Sequence, residues 1–153
     1  MRGRSWRAQG QLVVGMGLAF AIPYLAATQL ATGRDRQWAK SGLSPHEVTE
    51  WRDNGFGSVS DAISWRNVGF KAPGALLWTE EGWRDASVAR DWSDADFGPR
   101  EAKHWRDQGF AVWEAGPWRQ AGFQPQDARR WKNAGATPAD AAMKRRKGAE
   151  LAQ

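Results

Sequence analysis

A tryptophan recurs every 13 or 14 residues along most of this chain, and that spacing constrains the fold more than any other feature. The repeat tryptophans are Trp38, Trp51, Trp65, Trp78, Trp92, Trp105, Trp118 and Trp131. The same spacing reaches Lys144, where a lysine takes the place of the tryptophan. A period this regular is typical of one small structural unit copied in tandem, so the sequence predicts a repeat array.

A glycine lies four residues after the tryptophan in every unit but one. These glycines are Gly42, Gly55, Gly69, Gly82, Gly109, Gly122 and Gly135, with Gly148 after Lys144. The unit at Trp92 carries Asp96 instead, and Asp also tolerates the left-handed backbone conformation. A large apolar residue such as Phe56 or Phe110 comes next in most units. This pair is typical of a helix C-terminus closed by a Schellman motif, which would bring Trp51 and Phe56 into contact.

Signals for a helix start precede the tryptophans. Ser44 is a good N-cap, Pro45 suits the first helical position, and Glu47 completes a capping box. Thr137 and Asp140 repeat this pattern. Weaker forms begin at Ser58, Gly98 and Gln124. Counting from cap to glycine gives helices of about ten residues. We therefore predict an all-α fold, a solenoid-like array of seven or eight short helices.

The residues that flank the tryptophan and the glycine fit the same frame. Leu43 and Val48 are spaced as a hydrophobic staple, so the residue that closes one helix also opens the next. A basic residue follows the tryptophan in many units, as the helix dipole favours near a C-terminus. These residues are Arg52, Arg66, Arg106, Arg119 and Lys132.

Two segments fit the repeat badly. Residues 111–117 lack a polar cap, contain the extra Trp113, and place Pro117 in the helix interior. Residues 71–77 carry Pro73 one position late, followed by Gly74. The sequence indicates either bends in the array or a distinct surface at these two places.

Catalytic chemistry has little support in this sequence. The chain has no Cys and only two His, His46 and His104, which lie more than four units apart among polar neighbours. It has no phosphate-binding loop, Ser-His-Asp set or zinc spacing. We therefore predict a protein that is not an enzyme and that has no cofactor and no metal site, with both histidines on the surface.

The net charge also limits the partners. The formal charge is +5, but Arg2, Arg4 and Arg7 precede every acidic residue, which leaves 19 basic and 17 acidic residues from position 33 onward. This excess is too small to indicate nucleic-acid binding.

Residues 12–31 form a run of twenty residues without a charge. As a helix this run would match the hydrocarbon thickness of a bilayer, about 30 Å. A cleaved signal peptide is the competing interpretation, although the candidate cleavage sites are poor, and a buried soluble helix is a third. We predict a retained single span, an uncleaved anchor, with a slight preference for repeats on the non-cytoplasmic side.

The predicted organisation has four parts. A basic segment covers residues 1–10, the transmembrane helix 11–32, the tandem repeat domain 33–147 and a C-terminal tail 148–153.

Two functions from different classes fit this organisation. Each repeat tryptophan is tied to a glycine and an apolar partner, which predicts a core residue and favours a non-catalytic surface that binds protein. Such a protein would be a tether or an accessory subunit of a larger membrane complex, with self-association left open. The alternative is a cell-envelope module that binds glycan through exposed Trp and Arg. Candidate exposed contacts are Trp6, Trp83, Trp113, Arg84, Arg106 and Arg119.

The predicted span can be tested in native membranes. Carbonate extraction is expected to leave the full chain in the pellet, and mass spectrometry is expected to detect the N-terminal peptide still attached, because the apolar run is long enough to cross. A soluble product that begins near Thr28 would instead indicate a secreted repeat protein.

Overall fold

The computed structural model describes the backbone of residues 33–151 and the side chains of residues 33–148. This part of the chain contains helices and no strand, so the predicted all-α repeat array is confirmed. The helices are α1 Gly33–Ala39, α2 Pro45–Asp53, α3 Val59–Asn67, α4 Ala72–Glu80, α5 Ala86–Asp94, α6 Pro99–Asp107, α7 Val112–Gln120, α8 Pro125–Asn133 and α9 Pro138–Leu151. Helices α2 to α8 have nine residues each, close to the predicted length.

The chain divides into two compact units, residues 1–42 and residues 43–153. The first unit is described only at α1 and the turn after it, where Trp38 is buried and the Ser41 hydroxyl donates to the Trp38 carbonyl. The second unit contains α2 to α9. Its most extensive helix contacts join sequential helices and helices two apart, such as α2 with α4 and α4 with α6. Contacts this local along the chain are those of a repeat array.

The predicted N-caps Ser44, Ser58 and Thr137 accept backbone N–H groups through their side chains, whereas Gly98 and Gln124 occupy N-cap positions without such a bond. Ser44 Oγ accepts the Glu47 N–H at 3.2 Å, and the Glu47 carboxylate accepts the Ser44 N–H at 2.8 Å, which completes the capping box. Thr137 and Asp140 form the same reciprocal pair. Asp85 caps α5 by accepting the N–H groups of Ser87 and Val88, a cap that the sequence analysis missed. Because a helix N-terminus leaves several N–H groups without helical partners, each cap fixes a start.

Every helix from α2 to α8 ends in the Schellman motif that the sequence predicts. At the end of α6 the Gly109 N–H donates to the Arg106 carbonyl at 2.7 Å, and the Phe110 N–H donates to the Trp105 carbonyl at 3.1 Å. Gly109 has a φ of +76°, and Asp96 supplies the equivalent conformation after α5 with a φ of +63°. A positive φ at this position is what turns the chain back onto its own helix. The other repeat glycines from Gly42 to Gly135 also have positive φ.

Aromatic rings joined edge to face form the core of the second unit. Trp105 packs on Phe110 with ring centroids 5.1 Å apart, and Phe110 reaches Trp118 of the next helix at 6.4 Å. Contacts of this kind continue without a break from Trp65 to Trp131, and Trp51 with Phe56 forms a further pair at 4.7 Å. Each C-terminal aromatic residue therefore serves two helices, and the edge-to-face geometry suits the ring quadrupoles.

A small residue three positions before each tryptophan allows the helices to approach closely. Seven of these residues are alanines with no exposed surface: Ala62, Ala75, Ala89, Ala102, Ala115, Ala128 and Ala141. A larger side chain at these positions would have no space, because protein interiors are close-packed.

The two segments that fit the repeat badly both keep the helical repeat. Both form helices of the standard length, α4 and α7. Pro73 lies in the first turn of α4, where an N–H has no helical partner to lose. Pro117 does remove one hydrogen bond inside α7, but the Ala121 N–H donates to the Pro117 carbonyl at 3.0 Å and the helix continues. The interpretation of these segments as a distinct surface depends on which of their side chains are exposed.

The last helix differs from the repeat pattern. α9 has 14 residues and runs through Gly148 to Leu151, so Gly148 lies within a helix and does not end one. The helical array therefore extends into the predicted tail.

The predicted membrane segment, residues 12–31, lies outside the described residues, as does Trp6. Between residues 33 and 151 no helix has the length and hydropathy needed to cross a membrane. The anchor thus stays a prediction from the sequence.

Replacing a repeat tryptophan should be far more damaging than replacing the extra one. We expect Trp105→Ala to lower the free energy of unfolding by about 3 kcal/mol or more, and Trp113→Ala by less than about 1 kcal/mol. Trp105 is 1% exposed and Trp113 is 74% exposed. Urea unfolding followed by circular dichroism measures both values. Equal losses from the two variants would contradict this account of the core.

Candidate functional site

The two most exposed large apolar side chains of the described array lie on α7 and α4. Met143 on α9 and Val88 on α5 are also exposed, to 45% and 40%. Trp113 on α7 is 74% exposed and Leu77 on α4 is 57% exposed, and Trp113 is the most exposed tryptophan in the part of the chain that the structure describes. Trp113 is the second residue of its helix and Leu77 is the sixth, positions one turn apart on the same face of the repeat. Pro73 and Pro117 occupy the complementary positions and are also exposed. We call these four residues the outer apolar positions.

Other helices carry polar residues at the same two positions. The second and sixth residues are Ser60 and Ser64 in α3, Arg100 and His104 in α6, and Gln126 and Arg130 in α8, all exposed. α4 and α7, the two helices that depart from the repeat in sequence, thus place Leu77 and Trp113 on its outer face. The sixth residue of α9, Met143, is also apolar and exposed. His46 is also exposed, so both histidines lie on the surface as predicted.

Trp83 is not an exposed contact, in contrast to its prediction as a candidate. It is 2% exposed, packs between Trp78 and Trp92, and donates its indole N–H to the Pro99 carbonyl at 3.1 Å. Trp83 takes the position that Phe holds in other units, where the side chain closes one helix and packs on the next. The position after the repeat glycine was the signal that could have identified it as core.

Arg106 and Arg119 were predicted as partner contacts, but both are engaged within the array. The Arg119 guanidinium lies 3.8 Å from the centre of the Phe97 ring and donates to the Ala95 and Asp96 carbonyls at 3.1 and 2.7 Å. It also lies 3.5 Å from the Glu101 carboxylate. Arg106 lies 4.2 Å over the Trp83 ring. These contacts use the groups that a partner would otherwise bind.

The same arrangement recurs along the C-terminal half of the array. The basic residue after the repeat position lies over the aromatic residue that closes the helix two units earlier. The pairs are Arg106 with Trp83, Arg119 with Phe97, Lys132 with Phe110 and Arg145 with Phe123, at 3.8 to 4.9 Å. Arg145 also donates to the Ala121 and Gly122 carbonyls, as Arg119, two units earlier, does to the Ala95 and Asp96 carbonyls. The helix dipole accounts for the positive charge of these residues. Stacking on the rings also accounts for their regular position directly after the repeat tryptophan or its replacement.

Carboxylates in the first turn of a helix complete these contacts. Glu114 accepts the Ala111 N–H and pairs with Lys132 of the next helix. The Lys132 hydrogen bond, followed by the Ala111 N–H, lowers the pKa of Glu114 below its usual value. The Ser44 N–H, then the Ser44 hydroxyl and Arg66, lower the pKa of Glu47 in the same way. Both acids therefore stay ionised and link one helix to the next.

The pattern is interrupted in α4 and α5, where Thr79 and Ser93 replace the basic residue after the tryptophan. A cleft of about 410 Å³ opens beside Thr79. Its lining includes Asn54, Gly55, Phe56, Asp61, Thr79, Glu80 and Arg84. We call it the Phe56 cleft. Arg84 is exposed there and makes no ion pair or hydrogen bond with the described residues, so among the predicted partner contacts it is the arginine left available.

No protein-family model, no curated protein and no solved structure matches this chain. The proposed function therefore rests on the geometry of these surfaces and on the sequence of residues 12–31.

Removing the Arg119 guanidinium should destabilise the array. Arg119→Met keeps the apolar part of the side chain but loses the stacking and the hydrogen bonds to the Ala95 and Asp96 carbonyls. We expect a loss of about 2 kcal/mol in the free energy of unfolding, measured in urea. Arg84→Met is the matched control and should change stability by less than about 0.5 kcal/mol. Similar values for both variants would mean that the guanidinium contacts contribute little.

Proposed function

We propose that this chain is a non-catalytic, single-pass membrane protein whose helical repeats bind protein, as a tether or an accessory subunit of a larger membrane complex. The observation that carries the proposal is the division among the tryptophans. Seven of the eight repeat tryptophans are buried and Trp131 is half-buried, while Trp113, outside the repeat spacing, is 74% exposed. The periodic tryptophans support the fold, which leaves Trp113 for contact with another molecule.

The outer apolar positions have the composition expected of a protein contact. Exposed Trp is strongly enriched among the residues that dominate binding energy in protein interfaces. Placing Trp113, Pro117 and Leu77 in water offers the array nothing in stability, because neighbouring helices use polar residues at the same positions. Rigid short helices also present these side chains with little conformational freedom to lose on binding.

The glycan alternative depended on a series of exposed aromatic rings. Such a series would require the repeat tryptophans to face solvent, and the rings joined edge to face from Trp65 to Trp131 use those faces in the core. Trp113 is a single exposed ring, and Arg106 and Arg119 are engaged within the protein. Protein binding is accordingly the function that we favour.

The membrane part of the proposal comes from residues 12–31, whose uncharged run suits a bilayer span. A span at this end of the chain would hold the repeats next to the membrane surface, on the non-cytoplasmic side if the weak charge bias decides. A tether or accessory subunit fits a chain with one anchor and one binding domain.

Site-specific photocrosslinking tests whether the outer apolar positions contact a partner. Benzoylphenylalanine at position 113 in the full chain, produced in its own cells and irradiated in native membranes, should yield a discrete adduct of defined mass. The matched control is position 126, which is the second residue of α8 as Trp113 is the second residue of α7. Position 126 is exposed as well and should yield no such adduct.

Benzoylphenylalanine at position 77 should yield an adduct with the same partner if α4 and α7 bind one protein. Identical products from positions 113 and 126, or no product from either 113 or 77, would contradict the proposed binding surface.

A further inference from the structure

The Phe56 cleft contains the same kinds of group that hold a basic side chain elsewhere in the array. Along the C-terminal half of the array, the residue after the repeat position is basic and lies over the aromatic residue that closes the helix two units earlier. For α4 that residue is Thr79, and the aromatic residue beneath it is Phe56. The Thr79 side chain is short, and its hydroxyl donates to the Leu76 carbonyl of its own helix at 2.9 Å. No basic side chain of α4 therefore follows Trp78 to lie over Phe56.

The site around Arg119 shows what an occupied position contains. Its guanidinium meets three kinds of group: the face of the Phe97 ring, the carbonyls of Ala95 and Asp96 at a helix C-terminus, and the Glu101 carboxylate. The ring attracts the cation through its quadrupole, and the oxygen atoms accept from the N–H groups at the edge of the guanidinium plane.

Each of these groups has a counterpart in the Phe56 cleft. The ring is Phe56, the helix C-terminal carbonyls are those of Asn54 and Gly55, and the first-turn carboxylate is Asp61. Within the described residues the two carbonyls accept no hydrogen bond and Asp61 makes no ion pair. Phe56 is also 8% exposed, while the rings covered by a cation, Trp83, Phe97, Phe110 and Phe123, are 2 to 4% exposed.

The neighbouring interruption, where Phe70 is half-buried, has an arginine of the chain beside its turn. Ser93 of α5 stands where a basic residue would cover Phe70, but Arg90 of the same helix approaches from one turn earlier. Its Nη1 atom lies 3.2 Å from the place that a Cβ on Gly69 would occupy. The corresponding place at Gly55 has no atom within 4 Å. An arginine of the chain thus occupies the Gly69 position, and the Gly55 position stays open.

We propose that the Phe56 cleft binds the guanidinium of an arginine side chain on a partner protein. The occupied sites supply the argument for arginine, because a planar guanidinium can stack on Phe56 while it donates to the Asn54 and Gly55 carbonyls and to Asp61. Charge agrees, since Asp61 and Glu80 line the cleft and Arg84 is its one basic residue among those described. This proposal rests on the proposed protein-binding function and gives it a specific contact.

A titration with a single-arginine compound tests the cleft directly. The probe is Nα-acetyl-arginine methylamide, added to the ¹⁵N-labelled full chain in detergent micelles and followed by the amide signals of Gly55 and Phe56. We expect saturable shifts at these residues. The control is the corresponding citrulline compound, which has nearly the same shape as the arginine probe but no charge. It should bind about tenfold more weakly, because it loses the cation contacts.

Thr79→Arg is the decisive variant, since it restores the repeat residue and fills the cleft from within. It should abolish the shifts at Gly55 and Phe56 and raise the melting temperature, so failure to fold does not confuse the result. Arg119→Thr is the reciprocal variant and should create a new arginine-dependent shift at Asp96 and Phe97.

Three results would overturn the proposal: no saturable shift at Gly55 and Phe56, equal binding of the citrulline compound, or undiminished binding to Thr79→Arg. Binding that appears only after Arg84→Ala would identify Arg84 as the natural occupant and would also overturn it. The photocrosslink at position 113 reports the outer apolar positions independently. If that adduct forms while the arginine titration fails, only the cleft proposal is lost.

Discussion

The turn after each repeat tryptophan is the interaction on which the rest of this structure depends. A residue with positive φ, such as Gly109, returns the chain so that the Phe110 N–H reaches the Trp105 carbonyl. The same turn brings the two rings together edge to face. A helix of nine residues has little stability in water by itself, because helix nucleation is costly. The closing turn links its end to a buried contact, and the next tryptophan then packs on the same ring.

Basic side chains connect these closing turns to helices farther along the array. In four units the basic residue after the repeat position covers an aromatic ring two helices away. Two of these residues also pair with a first-turn carboxylate of the preceding helix, Arg119 with Glu101 and Lys132 with Glu114. Arg66 makes the carboxylate pair alone, with Glu47. One side chain can therefore join three helices, as Arg119 does for α5, α6 and α7. The near-neutral balance of charge from residue 33 onward follows from this pairing of bases and acids.

Departures from the repeat, and not the repeat itself, mark the surfaces that we assign to binding. The periodic residues are used in caps, turns and core, and few of their interacting groups remain for another molecule. α4 and α7 keep the core positions Ala75, Trp78, Ala115 and Trp118 but place Leu77 and Trp113 outward. Thr79 keeps the helix but places no cation over Phe56. In each case the fold tolerates the change because the packed rings of the closing turn are kept, Trp78 with Trp83 and Trp118 with Phe123.

The sequence by itself determined the helices, their caps and their closing turns, because these hydrogen bonds join residues at most five positions apart. Ser44 with Glu47 and Trp51 with Phe56 are examples. Only the tertiary structure decided the role of side chains whose partners lie about two helices away. It placed Trp83 in the core, engaged Arg106 and Arg119 over rings, kept α4 and α7 as regular helices, and opened the Phe56 cleft. The reason is physical: contacts 22 to 24 residues apart depend on how successive helices pack, which local propensity does not encode.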